Sequence, residues 1–209
     1  MQDIMNVAKL NQILLDAIRA VYDTSSDPYY AYRLQVGLAL DKIEEAILRF
    51  ILLSFPDKGI KIQEIGGGIG QLSLALGLLG YESVTMVDSS QVRSGVAQEL
   101  ASYLGLSGCV SSLCTRYPNP DFAQAQCDLI LGTNTIGWWA IEATTKEWDS
   151  ILTASHAILD LERFGLHRPG ANGPDLALER LRDGGFSAQR IPVPELSLTH
   201  IYHLTRLPR

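Results

Sequence analysis

Apolar residues recur at helical spacing over residues 4–22 (Leu10, Ile13, Leu14, Ile18, Val21) and again over 31–55 (Leu38, Leu40, Ile43, Ile47, Leu48, Ile51). The polar, proline-containing stretch "DTSSDPYY" (23–30) separates the two runs, which predicts two helices at the start of the chain. From residue 61 the period changes. Short apolar runs, "KIQEI" (61–65), "SVTMVD" (83–88), "CVSSLC" (109–114) and "CDLILG" (127–132), alternate with helical stretches that run through "QLSLALGLL" to Gly80 and from Gln91 to Leu104. Such alternation predicts right-handed βαβ units in a parallel sheet. Beyond lie a predicted helix near 144–153, "HAILDLERF" (156–164), a helix near 174–183 and, after "GGF" (184–186), the strand-like runs "SAQRIPV" and "LSLTHIYHL". These last two are too close together for a crossover helix, so they must pair as an antiparallel hairpin. No internal repeat or low-complexity tract interrupts the pattern.

Composition narrows the classes of function. With 209 residues and 46% hydrophobic content, the chain suits one domain with an elaboration and a sizeable core. Its 17 Lys and Arg are scattered and the formal net charge is -6, so the basic stripe that a nucleic-acid backbone requires is missing. Cys109, Cys114 and Cys127 are odd in number, fall in a stretch that reads as core and show no CxxC spacing, which argues against a disulfide framework or zinc knuckle and for a reducing, cytoplasmic setting. The most apolar stretch, "AILRFILLSF" (46–55), contains Arg49 and is far short of the roughly 20 residues of a membrane span. No signal-peptide pattern opens the sequence, so a soluble protein that is not exported is expected.

Chemistry concentrates at "EIGGGIG" (64–70), four glycines in seven positions between a predicted strand and a predicted helix. Glycine inside a regular element costs roughly 0.5–1 kcal/mol relative to alanine, so a cluster of this kind marks a turn of unusual dihedrals or a close approach to bare backbone. At a strand-to-helix turn, N–H groups and the positive end of the helix dipole converge on a polar or anionic ligand. The dinucleotide fingerprint GxGxxG, counted from Gly66 and Gly68, needs Gly or Ala at 71, where this chain has Gln71. Nicotinamide and flavin binding are thereby disfavoured.

What the stretch does match is Glu64-x-Gly66-x-Gly68-x-Gly70, followed 18 residues later by Asp88 at the end of the next strand. This resembles motif I and the ribose-binding acid of the class I S-adenosylmethionine (SAM) dependent methyltransferases, over roughly residues 45–206. The resemblance implies a three-layer Rossmann-like sandwich: a mostly parallel seven-stranded sheet ending in an antiparallel hairpin, with N-terminal helices added. On this division residues 1–55 are a helical extension or lid and 56–209 a SAM-binding domain. It further implies that Gly66, Gly67, Gly68 and Gly70 lie against the methionine part of SAM, that Glu64 orders the turn or a water near the amino group, and that Asp88 accepts from both ribose hydroxyls. Ser89, Cys114, Thr115, Gly132, Thr133 and Asn134 follow the next strand ends and complete the implied cofactor site, with S-adenosylhomocysteine (SAH) as product. For Asp88 the alternative is a helix cap for the segment after "SS". A carboxylate at 64 in a buried strand needs donors, which the turn amides are expected to supply.

Several family features are missing. The third strand is followed by Cys114, Thr115 and Arg116 instead of an adenine-binding Asp, and the fourth by "GTNTIGWW" instead of an Asn-Pro-Pro-Tyr-like motif or a magnesium-binding Asp. No metal is expected; His200 and His203, three apart in a strand, point to opposite faces. Trp138 and Trp139 are acceptor-side candidates, or simply pack a helix onto the sheet. Glu142 and His156 are weak candidates for a general base. In "DPYYAYR", Tyr29, Tyr30, Tyr32 and Arg33 either shape an acceptor pocket, with Arg33 holding an acceptor carboxylate, or pack the start of a helix. The expected activity is methyl transfer to a heteroatom of a small-molecule acceptor, with neither nucleic acid nor membrane as partner; a homo-oligomer is compatible with it. A SAM-fold subunit without turnover is the alternative, and aminopropyl transfer a weaker one, because Ile69 stands where spermidine synthases carry a loop Asp.

Overall fold

The computed structural model describes residues 7–116, 127–133, 154–161, 173–193 and 200–208. Helix α1 (Val7–Val21) is followed by a 3-10 turn (Thr24–Ser26), α2 (Pro28–Gln35) and α3 (Lys42–Ser54). Strand β1 (Lys61–Ile65), α4 (Gln71–Leu78), β2 (Ser83–Asp88), α5 (Gln91–Tyr103) and β3 (Val110–Cys114) form the expected alternation. β4 (Leu129–Gly132), β5 (His156–Asp160), α6 (Gly173–Asp183), β6 (Phe186–Arg190) and β7 (Ile201–Arg206) complete it.

The seven strands form one sheet in the order β3-β2-β1-β4-β5-β7-β6. The first five run parallel, and β7 inserts antiparallel between β5 and β6, pairing Phe186 with Arg206 on one side and Asp160 with Ile201 on the other. This is the Rossmann-like methyltransferase architecture. Residues along each central strand alternate between two cores: Leu129, Leu131 and Ile158 pack with the α1–α5 side, while Ile130, Ala157 and Leu159 pack with Ala177, Leu178 and Leu181 of α6. Helices therefore cover both faces, which explains why these strands read as continuous apolar runs.

The region before β1 departs from expectation. In place of one helix over 31–55 there are two, separated by residues 36–41. Gly37, at φ 73, takes the left-handed conformation that closes α2, with Leu38 N–H donating to the Arg33 carbonyl. Asp41 then opens α3 by accepting the N–H groups of Ile43 and Glu44, both at 2.9 Å, while the Glu44 carboxylate accepts the Asp41 N–H at 2.7 Å. Further upstream, Pro28 starts α2 inside the stretch expected to be a break, with Asp27 as its cap. Leu10, Leu14, Ile18, Tyr30, Ile47 and Ile51 share one buried cluster with Ile62, Leu72 and Leu100, so the core runs on across residue 55. Among the described residues no helix is long and apolar enough to cross a membrane.

Candidate functional site

The register places the carboxyl ends of the parallel strands side by side: Ile65 beside Val87 and Gly132, Asp88 beside Cys114, and Gly132 beside Leu159. The chain order reverses between β1 and β4, so a crevice opens there, at the end where the glycine loop leaves β1.

Each amide of that loop has an acceptor. Gly66 and Gly67 donate to the Val87 carbonyl at 2.7 and 3.3 Å, Gly68 donates to Asp88 Oδ2 at 3.0 Å, Ile69 to Tyr30 Oη at 3.1 Å, and Gly70 to the Gly67 carbonyl at 2.8 Å. Two positions show why glycine is required. At Gly67 a Cβ would collide with the Met86 side chain and come within 2.9 Å of the Glu64 carboxyl carbon. Gly68, at φ 62, is left-handed, and its open side is filled by the Tyr30 hydroxyl.

Glu64 is satisfied by a different route from the one expected. Its Oε2 accepts the Ser73 hydroxyl at 2.5 Å and the Ser73 N–H at 3.1 Å, so the carboxyl caps α4 from inside the sheet rather than holding the turn amides. Gly70, the formal cap residue, has no side chain to do so. Burial pushes the Glu64 acid up to about 8, with the two Ser73 bonds opposing.

Asp88 is 9% exposed and bridges two backbone segments, Oδ2 to Gly68 N–H and Oδ1 to Ser90 N–H at 2.8 Å. The α5 cap falls instead to the Ser90 hydroxyl, which accepts the Arg93 N–H at 3.3 Å. Each Asp88 oxygen keeps a further lone pair, which suits a vicinal diol. Ser89 and Cys114 are exposed at the same edge, with the Cys114 thiol 3.9 Å from the Ser89 carbonyl, and Cys114 thus lies outside the core expected for it. The Thr115 N–H donates to the Asp88 carbonyl at 3.0 Å. Gly132 and Thr133 are buried at the end of β4. Asn134, Trp138, Trp139 and Glu142 lie outside the described residues.

The tyrosine-rich segment divides. Tyr30 is buried on the glycine loop, Tyr32 faces solvent, and Tyr29 is half-exposed, with its hydroxyl accepting from Arg33 Nη1 at 2.7 Å. Arg33 itself is 7% exposed and uses four of its five N–H groups within the chain: besides the bond to Tyr29, Nη2 donates to Glu44 at 2.5 Å and to the Ala39 carbonyl at 2.6 Å, and Nε to the Leu38 carbonyl at 3.3 Å. Burial alone would lower its pKa, but Glu44 beside it outweighs this and raises it. Burial and Asp41 lift Glu44 toward about 7 and the guanidinium opposes them; a permanent cation in contact keeps the carboxylate form. Arg33 is therefore a structural cation, and the expected acceptor carboxylate has no place on it.

His156 opens β5 beside Leu129, at the amino edge of the sheet, so it stands at the opposite end from the glycine loop and cannot be the base. There its ring stacks on His203, Nδ1 3.3 Å from Nε2, against Phe50 and Phe55. Among the described residues no three His, Cys, Asp or Glu side chains group as metal ligands. Asp160, 2% exposed, ends β5 at the same carboxyl edge at which Asp88 ends β2, a strand-ending acid that is legible in "HAILD".

Comparison with known proteins agrees with the geometry. No family model and no curated protein sequence matches the chain. Among solved structures, magnesium protoporphyrin IX methyltransferase (ChlM) from Synechocystis PCC 6803 with bound SAM superimposes with a TM-score of 0.60 at 16% identity, covering 99% of this chain and 100% of that one. The ribosomal protein L11 methylase of Lactobacillus delbrueckii subsp. bulgaricus gives a TM-score of 0.53 at 17% identity over 77% of each chain. The bifunctional kinase-methyltransferase WbdD gives 0.60 at 14% identity, covering 92% of this chain and 46% of that one. The chain thus has the fold of the class I SAM-dependent methyltransferases.

Proposed function

We propose that the chain is a SAM-dependent methyltransferase acting on a heteroatom of a small-molecule acceptor. The observation that carries this reading is the bond from Gly68 N–H to Asp88 Oδ2: it locks a diol-binding carboxylate against the glycine turn at the switch point of the sheet. The residues present fit SAM, with Asp88 suited to the ribose and the Gly66–Gly70 turn to the methionine part. SAM, when bound, would supply a sulfonium-activated methyl group whose carbon an acceptor's lone pair can attack, the carbon–sulfur bond breaking with its electrons on sulfur to leave the thioether SAH.

What the chain contributes is position. Holding two groups in attack geometry is worth about 7–11 kcal/mol, so catalysis can proceed without a strong base. His156 is at the wrong end of the sheet for that task. The acidic balance of the chain favours a modest organic acceptor over a polyanion. Aminopropyl transfer finds no support, because Ile69 is fully buried and the loop presents no carboxylate for an amine.

Calorimetry tests the reading. SAM and SAH are expected to bind one site per chain and NADH not at all; Asp88→Ala should weaken both by about 1.5–3 kcal/mol, roughly tenfold to a hundredfold in Kd. Absence of heat with either ligand would sink the assignment. Binding of both with no methyl transfer to any component of a metabolite extract would favour the subunit without turnover.

A further inference from the structure

Tyr30 is 4% exposed, its ring edge-on against Tyr22 at 5.9 Å and Tyr29 at 5.0 Å. A phenol buried this deeply needs partners for its polar end. The oxygen has one, the Ile69 N–H at 3.1 Å, whereas the hydroxyl proton meets no acceptor among the described residues. Burial pushes the ionisation of the phenol up, against the pull of the Ile69 N–H and Arg93, so the group remains an O–H donor throughout the physiological range.

The position of that donor matters. It fills the open side of Gly68, directly on the loop that leads into α4. Helix α4 starts at Gln71 with no capping side chain on Gly70, and among the described residues the only carboxyl that serves any of its first three amides is Glu64, at Ser73. Uncapped amides at the positive end of a helix, with a buried O–H donor on the adjoining loop, form a seat for a carboxylate.

We propose that Tyr30 is a cofactor-binding residue whose hydroxyl accepts the Ile69 N–H and gives its own proton to the carboxylate of the cofactor's amino-acid group. This rests on the methyltransferase reading and deepens it: α2 belongs to the wall of the cofactor site. The segment thereby selects a nucleoside that carries an amino acid over the nucleoside alone.

The test compares two ligands on two proteins. SAH carries the carboxylate; 5′-methylthioadenosine keeps the nucleoside and thioether and lacks it. Tyr30→Phe is expected to weaken SAH about tenfold or more while leaving 5′-methylthioadenosine within about twofold, because only the first loses a charge-assisted hydrogen bond. Retained 5′-methylthioadenosine binding also shows that the variant is folded. In the wild type, SAH should slow hydrogen exchange at the Ile69 amide and in residues 28–35, and 5′-methylthioadenosine should not, a readout that needs no variant. Equal weakening of both ligands, unchanged SAH affinity, or identical exchange protection by the two overturns the role of Tyr30 and leaves the cofactor reading standing. Failure of the wild type to bind either ligand overturns both.

Discussion

Glu64 shows how a residue can be placed correctly in a motif while its partner stays hidden. A carboxyl in a buried strand demands donors, and that demand is readable; that Ser73 supplies them from the first turn of α4 depends on the loop geometry between. Because burial raises its folded pKa to about 8, above the unfolded value, Glu64 binds a proton in the native state that the unfolded chain has released. Its stabilising contribution is complete below the unfolded pKa and is lost as pH rises through about 8. Over the interval between, each pH unit costs up to about 1.4 kcal/mol. Glu64→Gln should flatten that part of the curve, so urea titrations at pH 6 and pH 9 should show the variant gaining on the wild type at the higher pH. An unchanged difference between the two pH values would mean that Glu64 stays ionised. The glycines make a second residue-scale case. Gly68→Ala should destabilise by about 1–2 kcal/mol, since the left-handed conformation is strained for any side chain and its Cβ meets Tyr30. A larger Gly68→Val change strikes the fold as well as the ligand, so thermal melts must accompany any binding assay on it. Equal melting of wild type and Gly68→Ala would contradict the contact.

At the level of elements, the alternation of short apolar runs with helical stretches made β1 to β4, α4 and α5 legible, most plainly at β4, whose four residues are all buried. The α2–α3 break was also written in the sequence, as Gly37 followed by Asp41-x-x-Glu44, but a continuous apolar period over 31–55 masks it. That break decides what Arg33 does. Eleven residues apart on a straight helix, Arg33 and Glu44 could not meet; the turn at Gly37 brings them together in a buried pair. Arg33→Met should therefore cost about 3–5 kcal/mol, because it strands a buried carboxylate, and Arg33→Met with Glu44→Leu should recover most of the loss. Chemical denaturation of the two single variants and the double variant checks this. If Arg33→Met keeps full stability and instead abolishes activity on an acceptor, the ion pair is incidental and Arg33 serves the ligand.

At the scale of the whole molecule, the N-terminal helices are where sequence and structure diverge most. They lie outside the βαβ pattern and so read as a lid, yet Leu10, Leu14, Leu15, Ile18 and Tyr30 are all buried in the cluster that contains Ile62, Leu72 and Leu100. Pattern alone cannot separate a lid from a core layer, because an amphipathic helix has the same period in both. Packing can. Each large apolar side chain fully buried contributes about 1.5–3 kcal/mol, and a domain is stable by only about 5–15 kcal/mol in total. Removing five of them, together with the Arg33 partner of Glu44, takes away as much as the fold has to spare. Deletion of residues 1–33 should accordingly yield a chain that lacks a cooperative thermal transition and binds no SAH, and circular dichroism melts with calorimetry on the truncated protein would show it. A truncated chain that melts cooperatively and binds SAH as tightly as the full one would restore the lid, and would also remove Tyr30 from the cofactor site.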